Sequence, residues 1–315
     1  ETAGGGVAAR QRQRQRQRQR QRQRQHRQGS DRGQDFTAGS AVPGPCDGDM
    51  DGEMSAISWD NSGRIDLFWF NGLAVGGGKI ALMHRWTDGT HWYKETLAMV
   101  ATVPASAPAV SSWGTGNLGV FWRDTQNQVR WLGFDRSQKG KPGFTPGGWF
   151  STERIAAGNV TGTPTAVART TDIIDLFWAQ ANGALMHQYT NNGGTSWSGA
   201  QSLGVTASTP PSATSWGSRR IDVVYGVDAT HLGHLWIDGA SGNWSPSHES
   251  LLSTHSVGVP FTVAAPSHAG RLDVFSIQTG GGTRISHTLY QESLPVRRGL
   301  CDQLRDKPHS QAPVV

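Results

Sequence analysis

The sequence is poor in the features by which many enzymes and membrane proteins declare themselves. In 315 residues there is no apolar run approaching the roughly 20 residues that a helix needs to cross a bilayer, so no membrane insertion is expected. No segment carries apolar residues at helical spacing over a useful length, which removes the helical fold classes. There is no His-Glu-x-x-His pair, no phosphate-cradling glycine loop and no nucleophile elbow. GGGK at Gly76–Lys79 is only a loop. No catalytic constellation can be identified, and no cofactor is implied. Cysteine is reduced to Cys46 and Cys301. Acidic charge is scarce only at one end. Residues 1–40 carry ten Arg against Glu1, Asp31 and Asp35, a local balance of +7 within an overall +5. The remainder is therefore at −2, and it offers no electrostatic case for specific nucleic-acid binding.

What is abundant is glycine and tryptophan. There are 41 Gly and 13 Trp, and every Trp falls between Trp59 and Trp244. Residues 11–25 alternate Gln and Arg without an apolar residue and cannot build a packed core. They read as solvated low-complexity sequence, with a basic arm for RNA or acidic glycans as the functional alternative. The Trp-rich part is a repeat. Its clearest copy runs from Pro164 to Leu203, and others begin near Ser55, Pro108, Pro211 and Pro260. Aligned at their centres, the copies pair Asp66, Gly119, Asp175, Asp222 and Asp273, at spacings of 53, 56, 47 and 51 residues. The second copy departs most, with Gly119 for the central Asp and Trp131 where others have His.

Each copy reads as four short strands. In the third, Thr165–Ala168 is followed by the near-continuous apolar run Ile173–Trp178, which suits a strand covered on both faces. Ala181-Asn182-Gly183 is hairpin-turn chemistry, Ala184–Tyr189 is the third strand, and the fourth is expected from Trp197 to Leu203-Gly204. One such sheet cannot bury both faces, so neighbours must stack, and ring closure protects their edges. The fold class is all-β: a β-propeller of about five recognisable four-stranded blades, the last incomplete in sequence. The expected division is a low-complexity tail and linker over 1–53, the propeller over 54–293 and a C-terminal tail over 294–315. Cys46 and Cys301 flank the repeats, and either a disulfide stapling the ring or two free thiols fits their positions.

Three sets of residues could carry chemistry. Third strands place His84, His187, His234 and His287 at one aligned position, with Trp86, Tyr189 and Trp236 two residues later on the same face. Successive blades hold these His too far apart for one metal site, so no metal is expected. They either satisfy hydrogen bonds between strands or help line repeated shallow pockets. Trp59, Trp113 and Trp216 end first strands, with Arg64, Arg220 and Arg271 following three of the turns. Indole rings can stack on a sugar's C–H face while Arg binds its hydroxyls, and they can equally pack blade on blade. Four equivalent Asp inside the same strand of four blades point to a repeated structural hydrogen bond. Glycoside hydrolysis instead needs one acid–base pair around one bond.

The combined pattern, P-x-A-x-S-W-G-x-x-R-(I/L)-D-(V/L)-F with A-L-x-H-x-W, D-G-x-x-W-S and S-L-G, resembles the repeat of Photorhabdus-type bacterial lectins. It resembles, more loosely, that of fungal fucose-specific lectins. The resemblance spans about residues 54–291. It implies a propeller that binds fucose, or O-methylated or galactose-like sugars, at several sites between blades, with Trp59, Trp113, Trp216, Trp86, Tyr189 and Trp236 as pocket residues. It also implies a secreted or cell-surface protein whose partners are glycans or glycoproteins, with homo-oligomerisation open. Thr190–Trp197 resembles the Asp-box turn of sialidases, so a sialidase-like or other propeller hydrolase is the alternative, and a non-catalytic interaction scaffold is a third reading.

Overall fold

Gly- and Asn-rich turns cut the repeat region into short strands, nineteen among the described residues, and antiparallel pairing sorts these into five sheets in chain order. The computed structural model describes residues 53–59, 64–71, 80–100, 102–114, 116–215, 220–237, 243–245, 249–252, 256–264, 271–279 and 284–291. Cys46, Cys301, Trp216 and both tails lie outside them. So does the Gly72–Gly78 insertion of the first copy.

The first blade is β1 (Ser55–Ile57), β2 (Ile65–Asn71), β3 (Ala81–Thr87) and β4 (Trp92–Met99). The second is β5 (Ala109–Ser111), β6 (Asn117–Arg123), β7 (Gln128–Asp135) and β8 (Arg154–Gly158). The third is β9 (Thr161–Ala168), β10 (Ile174–Ala179), β11 (Ala184–Thr190) and β12 (Gln201–Thr206). The fourth is β13 (Ser212–Thr214), β14 (Ile221–Gly226), β15 (His231–Ile237) and β16 (Glu249–Leu252). The fifth has three described strands, β17 (Ser256–Ala264), β18 (Arg271–Thr279) and β19 (Arg284–Gln291). The fold is a β-propeller, and among the described residues the fifth blade is the one with three strands. Its first strands pack in series from β1 through β5, β9 and β13 to β17.

The second strands of the third and fourth blades are buried on both faces because each face meets a different neighbour. All six residues of β10 and of β14 are buried. On β10 the odd positions Asp175, Phe177 and Ala179 face the fourth blade, where Phe177 and Ala179 join Ile221, Val223 and Tyr225 in one cluster. The even positions Ile174, Leu176 and Trp178 join the cluster shared with the first two blades. A single change of register would exchange these faces, so the alternation fixes strand pairing.

One packing device recurs between blades. A Trp from the turn before a fourth strand sets its edge against the aromatic pair of the preceding blade. Trp149 meets Phe68 and His84 at 6.0 and 5.5 Å, and Trp197 meets Phe121 and Trp131 at 6.1 and 5.9 Å. Trp244 meets Phe177 and His187 at 5.7 and 5.2 Å. All six contacts are steep, between 71° and 89°, the edge-to-face arrangement that aromatic quadrupoles favour. The fourth strand of the third blade therefore begins at Gln201 and not at Trp197, because Trp197 is drawn out of the sheet into its neighbour. The same approach brings the backbone of Gly194, at φ 77°, onto Trp131, where a Cβ would sit 2.1 Å from the indole. Only glycine fits there.

Removing one of these indoles should open a cavity at a blade interface. We expect Trp149→Ala to cost about 3–5 kcal/mol in denaturant unfolding. Trp92→Ala, at the equivalent but 39% exposed position of the first blade, should cost no more than about 1 kcal/mol.

Candidate functional site

The repeated central Asp is the seed of the site. It lies inside the second strand, so a short apolar neighbourhood buries it, and burial alone would make a bare carboxylate costly. Each Asp is instead gripped from two sides. Asp66 accepts from Arg64 Nε and Nη2 at 2.7 Å each and from Trp59 Nε1 at 2.6 Å, and it meets His84 Nε2 at 2.7 Å. Asp175 meets His187 Nε2 at 2.7 Å and accepts from Arg169 Nε at 3.0 Å and from its Nη2. Asp222 is held by Arg220 and His234, with the latter 2.8 Å away. Asp273 is held by Arg271 and His287, at 2.8 and 2.7 Å.

Strand register explains why these residues meet. Asp66 lies opposite Trp86 and Phe68 opposite His84, and the same pairing recurs as Asp175 with Tyr189, Phe177 with His187, and Asp222 with Trp236. In the fifth blade the position opposite Asp273 is held by Leu289, which is not aromatic. In the first, third and fifth blades the His thus stacks on its cross-strand Phe, as His84 does on Phe68 at 4.6 Å, and in the fourth His234 lies opposite Val224; each reaches the Asp two residues along. His84, His187 and His234 are buried, so they hold the carboxylates from beneath and do not themselves form a surface.

The Arg turns each buried cluster outward. Its guanidinium, bound to the Asp, lies over the aromatic ring of the third strand: Arg64 over Trp86 at 5.6 Å, Arg169 over Tyr189 at 5.8 Å and Arg220 over Trp236 at 5.5 Å. These are cation–π distances. In the first blade Trp59 is also covered by Arg64 at 5.1 Å and by Arg136 of the second blade at 5.4 Å. Trp86 stacks on Tyr93 at 5.3 Å, and Tyr93 is exposed. The result is a part-exposed shelf of aromatic ring and guanidinium at the edge of three blades, suited to a ligand with an apolar face and hydroxyls around its rim.

Sequence spacing missed three members. Arg169 does the work of Arg64 but comes from the end of the first strand, six residues before Asp175 instead of two. Glu95 lies opposite His84 and meets its Nδ1 at 2.9 Å, while Trp149 of the next blade donates to the same oxygen at 3.1 Å. Arg154 takes the position of Glu95 in the second blade, opposite Trp131.

The second blade replaces the whole set. Asn117 stands for Arg64, Gly119 for Asp66, Trp131 for His84 and Gly133 for Trp86. Both glycines are dictated by the aromatics: a Cβ on Gly119 would come within 2.8 Å of Phe121, and one on Gly133 within 2.6 Å of Phe150. The buried carboxylate moves to the hairpin end of the blade, where Asp124 accepts from Arg130, Thr102 and the N–H groups of Gln126 and Gln128. With no Arg–Trp shelf filling it, the space towards the third blade is an open cleft of about 490 Å³, walled by Trp113, Phe134, Phe150 and Arg154 and by Asn192 and Gly193 of the Asp-box-like turn. Of the Trp expected to line pockets, Trp113 is thus in a cleft wall although only 6% exposed, and Trp59 is in a shelf. Among the described residues no group of three His, Cys, Asp or Glu could hold a metal ion, and no helix is long and apolar enough to cross a membrane.

A buried Asp–His–Arg cluster repeated in four blades, with an aromatic shelf over it in three of them, defines the class: a β-propeller of repeated four-stranded sheets. No family model matches the chain, and no curated protein matches it. Solved structures do. The BP39L lectin from Burkholderia pseudomallei is 15% identical, with a TM-score of 0.56 over 75% of this chain and 66% of that one, so the chain spans just under two thirds of its length. The fucose-specific lectin from Aleuria aurantia is 16% identical, with a TM-score of 0.51 over 78% of this chain and 80% of that one. The SapL1 lectin, solved in complex with α-methyl fucoside, is 13% identical, with a TM-score of 0.51 over 77% of this chain and 82% of that one. At these identities the likeness is one of fold.

The clusters should make the fold acid-sensitive. Burial pushes the Asp66 carboxyl up, but His84, Arg64 and Trp59 together outweigh it and hold it below its ordinary 3.8. Arg271 is the main cause at Asp273, which is also lowered, with His287 adding to it. A lowered carboxyl contributes stability that is fully present above the ordinary value and is lost as pH falls below it. Thermal unfolding followed from about pH 5 to about pH 2.5 should therefore show a falling midpoint, and Asp273→Asn should flatten that slope.

Proposed function

We propose that the protein is a lectin that binds fucose or related sugars, including O-methylated and galactose-like ones, at several equivalent sites between blades. The observation that carries this reading is the repetition of one shelf, an aromatic ring under an Arg anchored on a buried Asp–His pair, in the first, third and fourth blades. A sugar's C–H face can stack on Trp86, Tyr189 or Trp236 while the neighbouring Arg64, Arg169 or Arg220 serves its hydroxyls. Trp59, which donates to Asp66 and lies under Arg64, adds a second ring to the site of the first blade. His84, His187 and His234 act as positioning residues, setting the Asp that sets the Arg.

Binding without turnover fits the carboxylates. Asp66, Asp175 and Asp222 have no exposed surface and are committed to Arg and His in their own blades, which leaves none of them to act on a glycosidic bond. The likeness of fold to a fucose-specific lectin and to a lectin solved with α-methyl fucoside supports the choice of sugar. Glycans or glycoproteins on a cell surface are the fitting partners, and a secreted or surface location follows from them. Several linked weak sites would raise avidity by roughly 10²–10⁴ over one.

A glycan array with free L-fucose as competitor tests this. Binding to fucosylated or methylated glycans, displaced by the free sugar, is the expected result. Trp86→Ala, Tyr189→Ala and Trp236→Ala should then weaken binding step by step, each removing about tenfold at its own site. A blank array from folded protein would overturn the proposal.

A further inference from the structure

The cleft between the second and third blades differs in charge from every other inter-blade position described. In the first blade the cation is spent on a carboxylate: Arg64 is bound to Asp66, and Glu95 faces the neighbouring blade. The second blade has lost both acids, with Gly119 for Asp66 and Arg154 for Glu95. Arg154 is part-buried, with its guanidinium 3.8 Å from the centre of the Phe150 ring. It forms no ion pair and no hydrogen bond with any described residue. Burial without an acidic partner pushes its pKa down, the reverse of Arg271, which Asp273 pushes up. A guanidinium lying over a ring keeps its N–H groups in its own plane, directed past the ring edge, where they can serve a planar or tetrahedral anion with two parallel bonds.

The walls complete the description of a ligand. Trp113 and Phe150 provide apolar faces, and Asn192 provides an amide at the rim. Two carboxylates also face the cleft. Asp135 has one oxygen taken by the backbone and side chain of Ser137, and Asp172 is exposed at the edge. These acids would repel a polyanion along the rim while leaving one anionic group free to reach Arg154. A volume of about 490 Å³ admits one or two sugar rings.

We propose that this cleft is a separate site for a sugar bearing a single anionic group, a carboxylate or a sulfate, held by Arg154. The proposal rests on the lectin reading for its ligand class but not on the Arg–aromatic shelves, which it does not use.

Titration of the full chain, read by Trp fluorescence and calorimetry, separates the two. The probes are methyl glucuronide against methyl glucoside, methyl galactoside 6-sulfate against methyl galactoside, and methyl fucoside for the shelves. We expect at least one charged probe to bind ten- to a hundredfold more tightly than its neutral twin, to the order of magnitude of a charge-assisted pair. Arg154→Met keeps the stem on Phe150 and should remove that preference while leaving methyl fucoside affinity unchanged; Arg154→Lys should restore part of it. The Arg-rich residues 11–25 are the same in all three proteins, so binding of a charged probe that survives Arg154→Met belongs to that arm and overturns the proposal. Equal affinity for charged and neutral twins overturns it too. If methyl fucoside binds and the charged probes do not, the shelves stand and this site falls; charged binding that needs Arg154, without fucoside binding, gives the reverse.

Discussion

A carboxylate placed in the middle of a buried strand is the constraint from which the rest of each blade follows. Left alone, Asp66 or Asp222 would destabilise the sheet more than any neighbouring methyl group could offset. The sequence answers with a His one strand away and an Arg at the strand's end, so that both carboxylate oxygens are occupied. That answer determines geometry as well as energy. In the first blade it fixes His84 against its cross-strand Phe68, and it draws Arg64 across the mouth of the blade onto Trp86. Structure and surface are thus built by the same three side chains.

The second blade shows what happens when the carboxylate is absent. Gly119 removes the charge, so neither a His nor an anchored Arg is required, and aromatic packing takes over. Trp131 fills the His position and lies against Phe121, Phe150 and Trp197. The glycines that look like degeneracy in the sequence are the clearance for these rings. An open cleft is the by-product, because no guanidinium is left to cover it.

Much of this was legible in the sequence because it follows local periodicity. The central Asp, the third-strand His and the aromatic two residues beyond it are all set by the two-residue repeat of one hairpin, whose turn is short in the third and fourth copies. The all-β class and the incomplete last blade were legible for the same reason. What escaped depends on partners separated by turns of variable length. Arg169 lies before its turn while Arg64 lies after its own, and only the antiparallel register reveals that they arrive at one place. Trp197 reads as the first residue of a strand, yet it serves the preceding blade. The exchange of Glu95 for Arg154 is invisible without pairing β4 and β8 to their neighbours.

The tryptophan that each blade lends to its predecessor gives the ring a direction. Trp149 completes the first blade, Trp197 the second and Trp244 the third, always from later sequence to earlier. During synthesis a blade that has left the ribosome therefore still lacks one wall of its core until about fifty more residues have followed. Each blade must wait for the next, so consolidation lags translation by one repeat and travels with it. A pause within one repeat would expose the aromatic pair of the repeat before it.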